Sequence, residues 1–242
     1  MNRYKAFSLH LLGSAVVLFL VFAYVRWVLY PGPLFDAASG ADLVTIVILA
    51  DLILGPIITL IIFNPQKRSL KFDMTCVLVF QIAFMMYGVW STVSARPVYL
   101  AFVENRFHVV TANEIDKKDQ TKAKVEAFRT FPLNGPVYVG TRQPEDQKIQ
   151  EEILMGGMMG MGLQNLPEYF VPYSDVASKV VSAGKPAIAL KAASNEDRER
   201  LIAYERRLME ANKNALFLPL ISKKKILYVA IDAANGSVIE VL

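Results

Sequence analysis

The chain has 242 residues, of which 54% are hydrophobic and 20% are charged, and its net charge is +4. Its mean hydropathy of +0.34 is too high for an average soluble domain. Residues 1–96 hold only eleven charged side chains, whereas the rest of the chain holds 19 basic and 18 acidic ones. The second part therefore lacks the basic excess of a nucleic-acid-binding domain, and we expect no nucleic-acid partner.

Three apolar segments, residues 7–25, 43–63 and 72–93, are long enough to cross a bilayer as helices. A transmembrane helix needs about 20 mostly apolar residues. The first segment is too long for a signal peptide and has no small-residue cleavage site after it, so we interpret it as an uncleaved span. The sequence predicts a membrane α-helical part with three transmembrane helices, residues 1–95, followed by a C-terminal α+β periplasmic domain, residues 96–242.

Lysine and arginine in the short loops predict the orientation, because such residues accumulate on the cytoplasmic side. The N-terminus carries Arg3 and Lys5, and the loop between the second and third spans reads NPQKRSLK. The loop between the first two spans, PGPLFDAASGAD, has no basic residue. We expect a protein of the bacterial inner membrane, with its N-terminus in the cytoplasm and its C-terminal domain in the periplasm.

The second span carries an acid, Asp51, followed by the helix-breaking pair Gly55-Pro56. A charged residue at the centre of a span costs about 3 kcal/mol on insertion scales, so such residues usually face other protein groups. Asp51 either contacts a partner helix or Arg26, or it is a protonated or hydrogen-bonded structural acid that locks the spans together. The Gly-Pro pair predicts a kink, which also opens a groove for another helix.

The second half predicts a mixed domain in which strands at both ends enclose helices, so that the first and last strands share one sheet. Residues 97–113 read as a hairpin and 114–128 as an exposed helix. Residues 135–141 form a short buried strand, and 216–242 form two or three strands. Helices are predicted in three further segments, at residues 144–161, 174–186 and 194–214.

Residues 153–162, ILMGGMMGMG, combine flexible methionines with glycines. Methionine packs adaptably and suits binding surfaces, so Met155 and Met158 are candidate partner contacts. The alternative is a helix end tucked over the domain core.

The chain contains no H-E-x-x-H, C-x-x-C, G-x-S-x-G or P-loop motif, and its two histidines, His10 and His108, stand apart in sequence. We therefore expect no enzyme, no metal and no cofactor.

Five segments in order resemble the type IV pilin accessory proteins of the TfpX/TfpZ family: PGPLF, ADLILGPIITLIIFNP, KRSLKFDMT, QIAFMMYGVW and ARPVYLAFVENRFHVV. The resemblance covers residues 1–112, and the second half is similar only in layout. It implies that the family's partner-binding positions are here Asp51, Gly55, Pro56, Tyr87, Gly88, Arg96 and Arg106. The turn before Phe107 has Asn105 where the family more often has Asp.

The resemblance implies a non-enzymatic, chaperone-like accessory protein that binds its cognate major type IV pilin and promotes pilin stability or pilus assembly. Its other expected partners are the lipid bilayer and further pilus assembly proteins. Two alternatives stay open: a membrane-anchored periplasmic ligand sensor, and a membrane enzyme that modifies pilin.

Overall fold

The computed structural model describes residues 2–158 and 160–242, and only the backbone of Met158. Three long helices come first: span 1 is Arg3–Leu29, span 2 is Gly40–Ile62 and span 3 is Leu70–Ser94. Each is long and apolar enough to cross a membrane. The three predicted spans are therefore confirmed.

Most side chains of the three spans face outward. Phe19, Ile61 and Phe84, one on each span, are all more than half exposed. An apolar surface of this extent is unusual for a soluble monomer. In hydrocarbon it is the expected lipid-facing surface, which associates the chain with a membrane.

A seven-stranded mixed sheet forms the C-terminal domain. Its strands are β1 Pro97–Val103, β2 Arg106–Thr111, β3 Val137–Thr141, β4 Phe170–Pro172, β5 Ala215–Ile221, β6 Ile226–Asp232 and β7 Val238–Val241. The order across the sheet is β4-β3-β1-β2-β5-β6-β7. The β1–β3 and β2–β5 pairs are parallel, and the other pairs are antiparallel. Strands from both ends of the domain thus share one sheet, and the predicted fold class is confirmed.

Within the described part of the chain, four α-helices lie between the strands: Lys117–Thr121, Gln147–Met158, Ala177–Ala183 and Asn195–Glu210. The predicted exposed helix at residues 114–128 is wrong, since only five of those residues are α-helical and a 3-10 turn occupies Glu126–Phe128. Ala123 and Phe128 are buried and pack with Tyr99 against the sheet. The segment is mostly polar, so its sequence predicts exposure, but its few apolar residues hold it to the core.

The loop between spans 1 and 2 contributes to the core of the C-terminal domain. Its short helix, Leu34–Ala37, buries Leu34 and Ala37 in a cluster with Phe102 and Leu220. Two crossings, spans 2 and 3, separate this loop from the C-terminal domain, so three spans place both on the same side of the membrane. The contact therefore agrees with a three-span topology.

Two polar contacts reinforce this attachment. The hydroxyl of Tyr30 donates to the carbonyl of Thr92 near the end of span 3, at 2.9 Å. Lys224, between β5 and β6, forms an ion pair with Asp42 at the start of span 2. The sheet is thus held to the spans by side-chain contacts as well as by chain continuity.

We predict that Leu34→Ala lowers the free energy of unfolding of the C-terminal domain by about 2–4 kcal/mol, because it leaves a cavity in a shared core. Leu34 is only 2% exposed. The matched control is Leu133→Ala, at a leucine that is 73% exposed, which should change stability little. Denaturant unfolding of the full chain in detergent measures both variants, and equal effects would contradict the shared core.

Candidate functional site

Asp51 lies in a wide π-helical turn of span 2, Leu49–Leu54. Pro56 has no backbone N–H to continue the regular ladder of hydrogen bonds, and its ring crowds the preceding turn. The helix responds by widening, so that the N–H of Gly55 donates to the carbonyl of Ala50, five residues back. Such turns are frequent at functional sites. Here the turn lies at the mid-point of span 2.

A polar cluster crosses the interior of the three spans: His10 and Ser14 from span 1, Asp51 and Thr59 from span 2, and Gln81 from span 3. The Gln81 amide nitrogen donates to the Ser14 hydroxyl at 3.0 Å and to the Asp51 carbonyl at 3.1 Å. Its amide oxygen lies 2.5 Å from His10 Nε2, and His10 Nδ1 lies 2.6 Å from the Thr59 hydroxyl. Gln81 therefore links all three spans.

This geometry determines how the hydrogens are placed. An amide oxygen only accepts, so His10 Nε2 must donate to Gln81. In the neutral imidazole, Nδ1 then accepts from the Thr59 hydroxyl. Both imidazole nitrogens, both amide hydrogens of Gln81 and its amide oxygen are thus occupied.

The carboxylate of Asp51 is left out of this network. Asp51 is 1% exposed, and neither carboxylate oxygen has a hydrogen-bond partner among the described residues. The predicted contact with Arg26 is not formed, because the Arg26 guanidinium lies over the Phe35 ring, 5.5 Å from its centre. A side-chain hydrogen bond of a structural acid is not formed either, since Gln81 contacts the Asp51 backbone carbonyl, and a protonated structural acid stays a prediction.

A groove between spans 2 and 3, which we call the span groove, has a volume of about 520 Å³ and is lined in part by Asp51 and Gln81. Most of its wall is apolar, including Ile58 and Phe84, and one end carries the Lys67–Asp73 ion pair. Gly55 also lines it, and a Cβ there would lie 2.8 Å from Gln81 Nε2. A glycine at this position thus leaves room for the Gln81 amide.

The other predicted positions of the spans have internal or lipid-facing surroundings. Pro56 is buried beside Gly55. Gly88 lets span 3 approach span 2, because a Cβ there would lie 2.3 Å from Val47 Cγ2. Tyr87 is exposed and its ring packs near that of Trp90, with 6.0 Å between centres. Their role as partner contacts stays a prediction.

Arg96 connects span 3 to the C-terminal domain. Its side chain is buried, donates to the Val93 carbonyl at 2.7 Å and lies over the ring of Phe131. A cation at the C-terminus of a helix is favoured by the helix dipole. The contacts of Arg96 are therefore within the chain.

A second cavity, of about 560 Å³, lies in the C-terminal domain between the β1–β2 turn and the helix Gln147–Met158, and Arg106, His108 and Leu154 help to line it. Burial, with a smaller contribution from Arg106, lowers the pKa of His108 to about 4, so its imidazole is neutral at neutral pH. Met155 is 70% exposed and is not tucked over the core, and the side chain of Met158 lies outside the described residues.

The structure thus brings together Asp51 and Gly55 at the span groove, and Arg106 with the Met-Gly helix at the second cavity. It also identifies four residues that sequence reasoning missed: His10, Ser14, Thr59 and Gln81. Each apolar segment carries a polar side chain at a similar depth in the membrane. This match can be found in the sequence only when the three segments are placed side by side with the middle one running in the opposite direction.

The chain thus combines three spans, a polar cluster buried between them, and an α+β domain. Two fimbrial assembly proteins of Dichelobacter nodosus are similar to this chain. That of serogroup I is 26% identical over 238 residues, and that of serogroup E1 is 26% identical over 240 residues. Each alignment covers 97% of this chain and 92% of the relative.

A fimbrial assembly protein of serogroups C1 and C2 of the same organism is 27% identical over 113 residues, which are 46% of this chain and 86% of the relative. No family model and no solved structure matches the chain. The similarity to the first two proteins therefore extends over both the spans and the C-terminal domain.

We predict that Gly88→Ala destabilises the packing of spans 2 and 3 by about 1–3 kcal/mol, because the new methyl group overlaps the stiff side chain of Val47. Adding Val47→Ala removes the overlapping methyl groups and should restore much of the loss. Thermal unfolding of the full chain in detergent compares the single and double variants. A double variant no more stable than Gly88→Ala would contradict this account.

Proposed function

We propose that the chain is a non-enzymatic accessory protein of type IV pilus assembly, of the TfpX/TfpZ type, which binds its cognate major pilin in the inner membrane. The observation that carries the proposal is the similarity to the two fimbrial assembly proteins along 97% of the chain. Of the motifs that resemble the TfpX/TfpZ family, ADLILGPIITLIIFNP and QIAFMMYGVW fall mostly on spans 2 and 3, and ARPVYLAFVENRFHVV falls on β1 and β2. Binding would promote pilin stability or delivery to the assembling pilus.

The architecture suits a pilin that waits for assembly with an apolar helix in the bilayer and a globular head in the periplasm. The span groove offers an apolar, membrane-exposed surface for the helix. The C-terminal domain offers the Arg106 cavity and the exposed Met155 to the head. Two linked contacts bind more strongly than either alone, and each stays weak enough to be released.

The enzyme alternative is supported less well. Among the described residues, the Thr59 hydroxyl and His10, 2.6 Å apart, resemble a nucleophile and its base. Thr59 is buried and, unlike Asp51, does not line the span groove, so a molecule in the groove would not meet its hydroxyl. The sensor alternative would place its ligand in the Arg106 cavity and requires that a ligand stabilise the C-terminal domain.

We predict that the full chain, purified from membranes in mild detergent, carries its cognate major pilin with it. A photoreactive residue in place of Ile58, which lines the span groove, should crosslink to pilin. The matched control is the same substitution at Ile61, which is exposed elsewhere on span 2 and should crosslink poorly. Deleting the gene should lower surface pili several-fold, and the wild-type chain should restore them. Normal piliation without the gene and no pilin adduct at Ile58 would refute the proposal.

We predict that the C-terminal domain lies in the periplasm. A reporter that is active only in the periplasm should be active when it is fused after Leu242. The same reporter inserted in the loop between spans 2 and 3, after Arg68, should be inactive and serves as the control. The opposite pattern would separate the C-terminal domain from the pilin heads by the membrane.

A further inference from the structure

We infer that the Asp51 carboxylate recognises a hydrogen-bond donor on the transmembrane helix of the bound pilin. This inference rests on the proposed function and specifies the chemical group that the span groove would recognise on the pilin helix. The described neighbours of Asp51 do not donate to its carboxyl oxygens. Gln81 has already given both amide hydrogens, to Ser14 and to the Asp51 carbonyl, and His10 donates to Gln81.

Burial makes the missing partner significant. A buried polar group without a hydrogen bond is costly, and the cost rises in hydrocarbon, where no water can compensate. Asp51 is almost fully buried, and its two carboxylate oxygens have no partner among the described residues. Asp51 also lines the span groove, which places its side chain next to a molecule that occupies the groove.

The depth of Asp51 in the bilayer indicates that a transmembrane helix, and not a lipid, occupies the span groove. Asp51 lies midway between the two ends of span 2, Gly40 and Ile62, and so near the centre of the bilayer. A lipid presents only hydrocarbon at that depth and has no donor to offer. A transmembrane helix can carry a hydroxyl, amide or cationic side chain there, while its apolar residues pack on groove residues such as Ile58 and Phe84.

The arrangement predicts opposite effects on stability and on binding. In the free chain the carboxyl group is a cost, so Asp51→Leu should leave the thermal midpoint of the chain alone unchanged or raise it. In the complex the same substitution removes an interhelical hydrogen bond. Such bonds contribute about 1–2 kcal/mol in model peptides, so pilin capture should fall by roughly tenfold.

The test compares the wild-type chain, Asp51→Leu and Gln81→Leu, each as the full chain. Two quantities are measured: the thermal midpoint of the chain alone in detergent, and the pilin captured from membranes that contain equal amounts of pilin and variant. Gln81→Leu breaks the network that links the spans, so its midpoint should fall and it calibrates structural damage. Asp51→Leu should lose capture and crosslinking at Ile58 with no fall in midpoint.

Three results would overturn the inference. Undiminished capture by a stable Asp51→Leu chain would show that the carboxyl group does not contribute to pilin binding, although the proposed function would stand. A fall in midpoint similar to that of Gln81→Leu would make Asp51 a structural residue. An Ile58 adduct with a second copy of this chain would make that copy the occupant. Failure of the wild-type chain to capture pilin would instead refute the proposed function itself.

Discussion

The absence of water in a bilayer interior governs the membrane part of this protein, because every polar group there needs a partner within protein. Gln81 meets this constraint most fully, since its amide group joins spans 1 and 2 to span 3 through three hydrogen bonds. Spans 2 and 3 pack closely where Gly88 meets Val47, and the groove opens where Gly55 makes room for the Gln81 amide. Both amide hydrogens of Gln81 are used in these contacts, so neither is left for the Asp51 carboxyl group.

The C-terminal domain is built onto the same framework. Leu34 and Ala37 of the first loop belong to its core, and the Tyr30 hydroxyl ties that loop to the end of span 3. The domain is therefore not an independent unit on a flexible tether. A pilin whose helix lay in the groove would meet a C-terminal surface at a set position above it, which favours two simultaneous weak contacts.

Much of the fold could be predicted from the sequence because its signals are local. The length of the apolar segments predicts the three spans. The strand patterns at both ends of the second half predict a shared sheet. The exposed helix at residues 114–128 was wrong because Ala123 and Phe128 are too few to create a pattern, yet they pack on Tyr99. The contribution of Leu34 to a distant core carries no local signal at all.

The candidate site was predicted only in part for a related reason. Asp51 stands out in an apolar run, and Gly55-Pro56 marks the turn beside it. His10 and Gln81 are ordinary when each segment is considered alone, and their meeting depends on how the three spans align. Gly88 was named by resemblance as a partner contact, which stays a prediction, and in the structure its small size allows the approach of Val47. That contact depends on tertiary packing, which one sequence does not specify.

The junction between span 3 and β1 has a mechanical consequence. Only Ala95 and Arg96 separate Ser94, the last residue of span 3, from Pro97, the first residue of β1, and Arg96 is itself fixed to Val93. Because the connection is this short and Arg96 is held to the helix end, a tilt or rotation of span 3 should turn the adjoining strand as well. If spans 2 and 3 moved apart inside the bilayer, β1 would rotate with span 3, and the edge strands of the sheet would move the most.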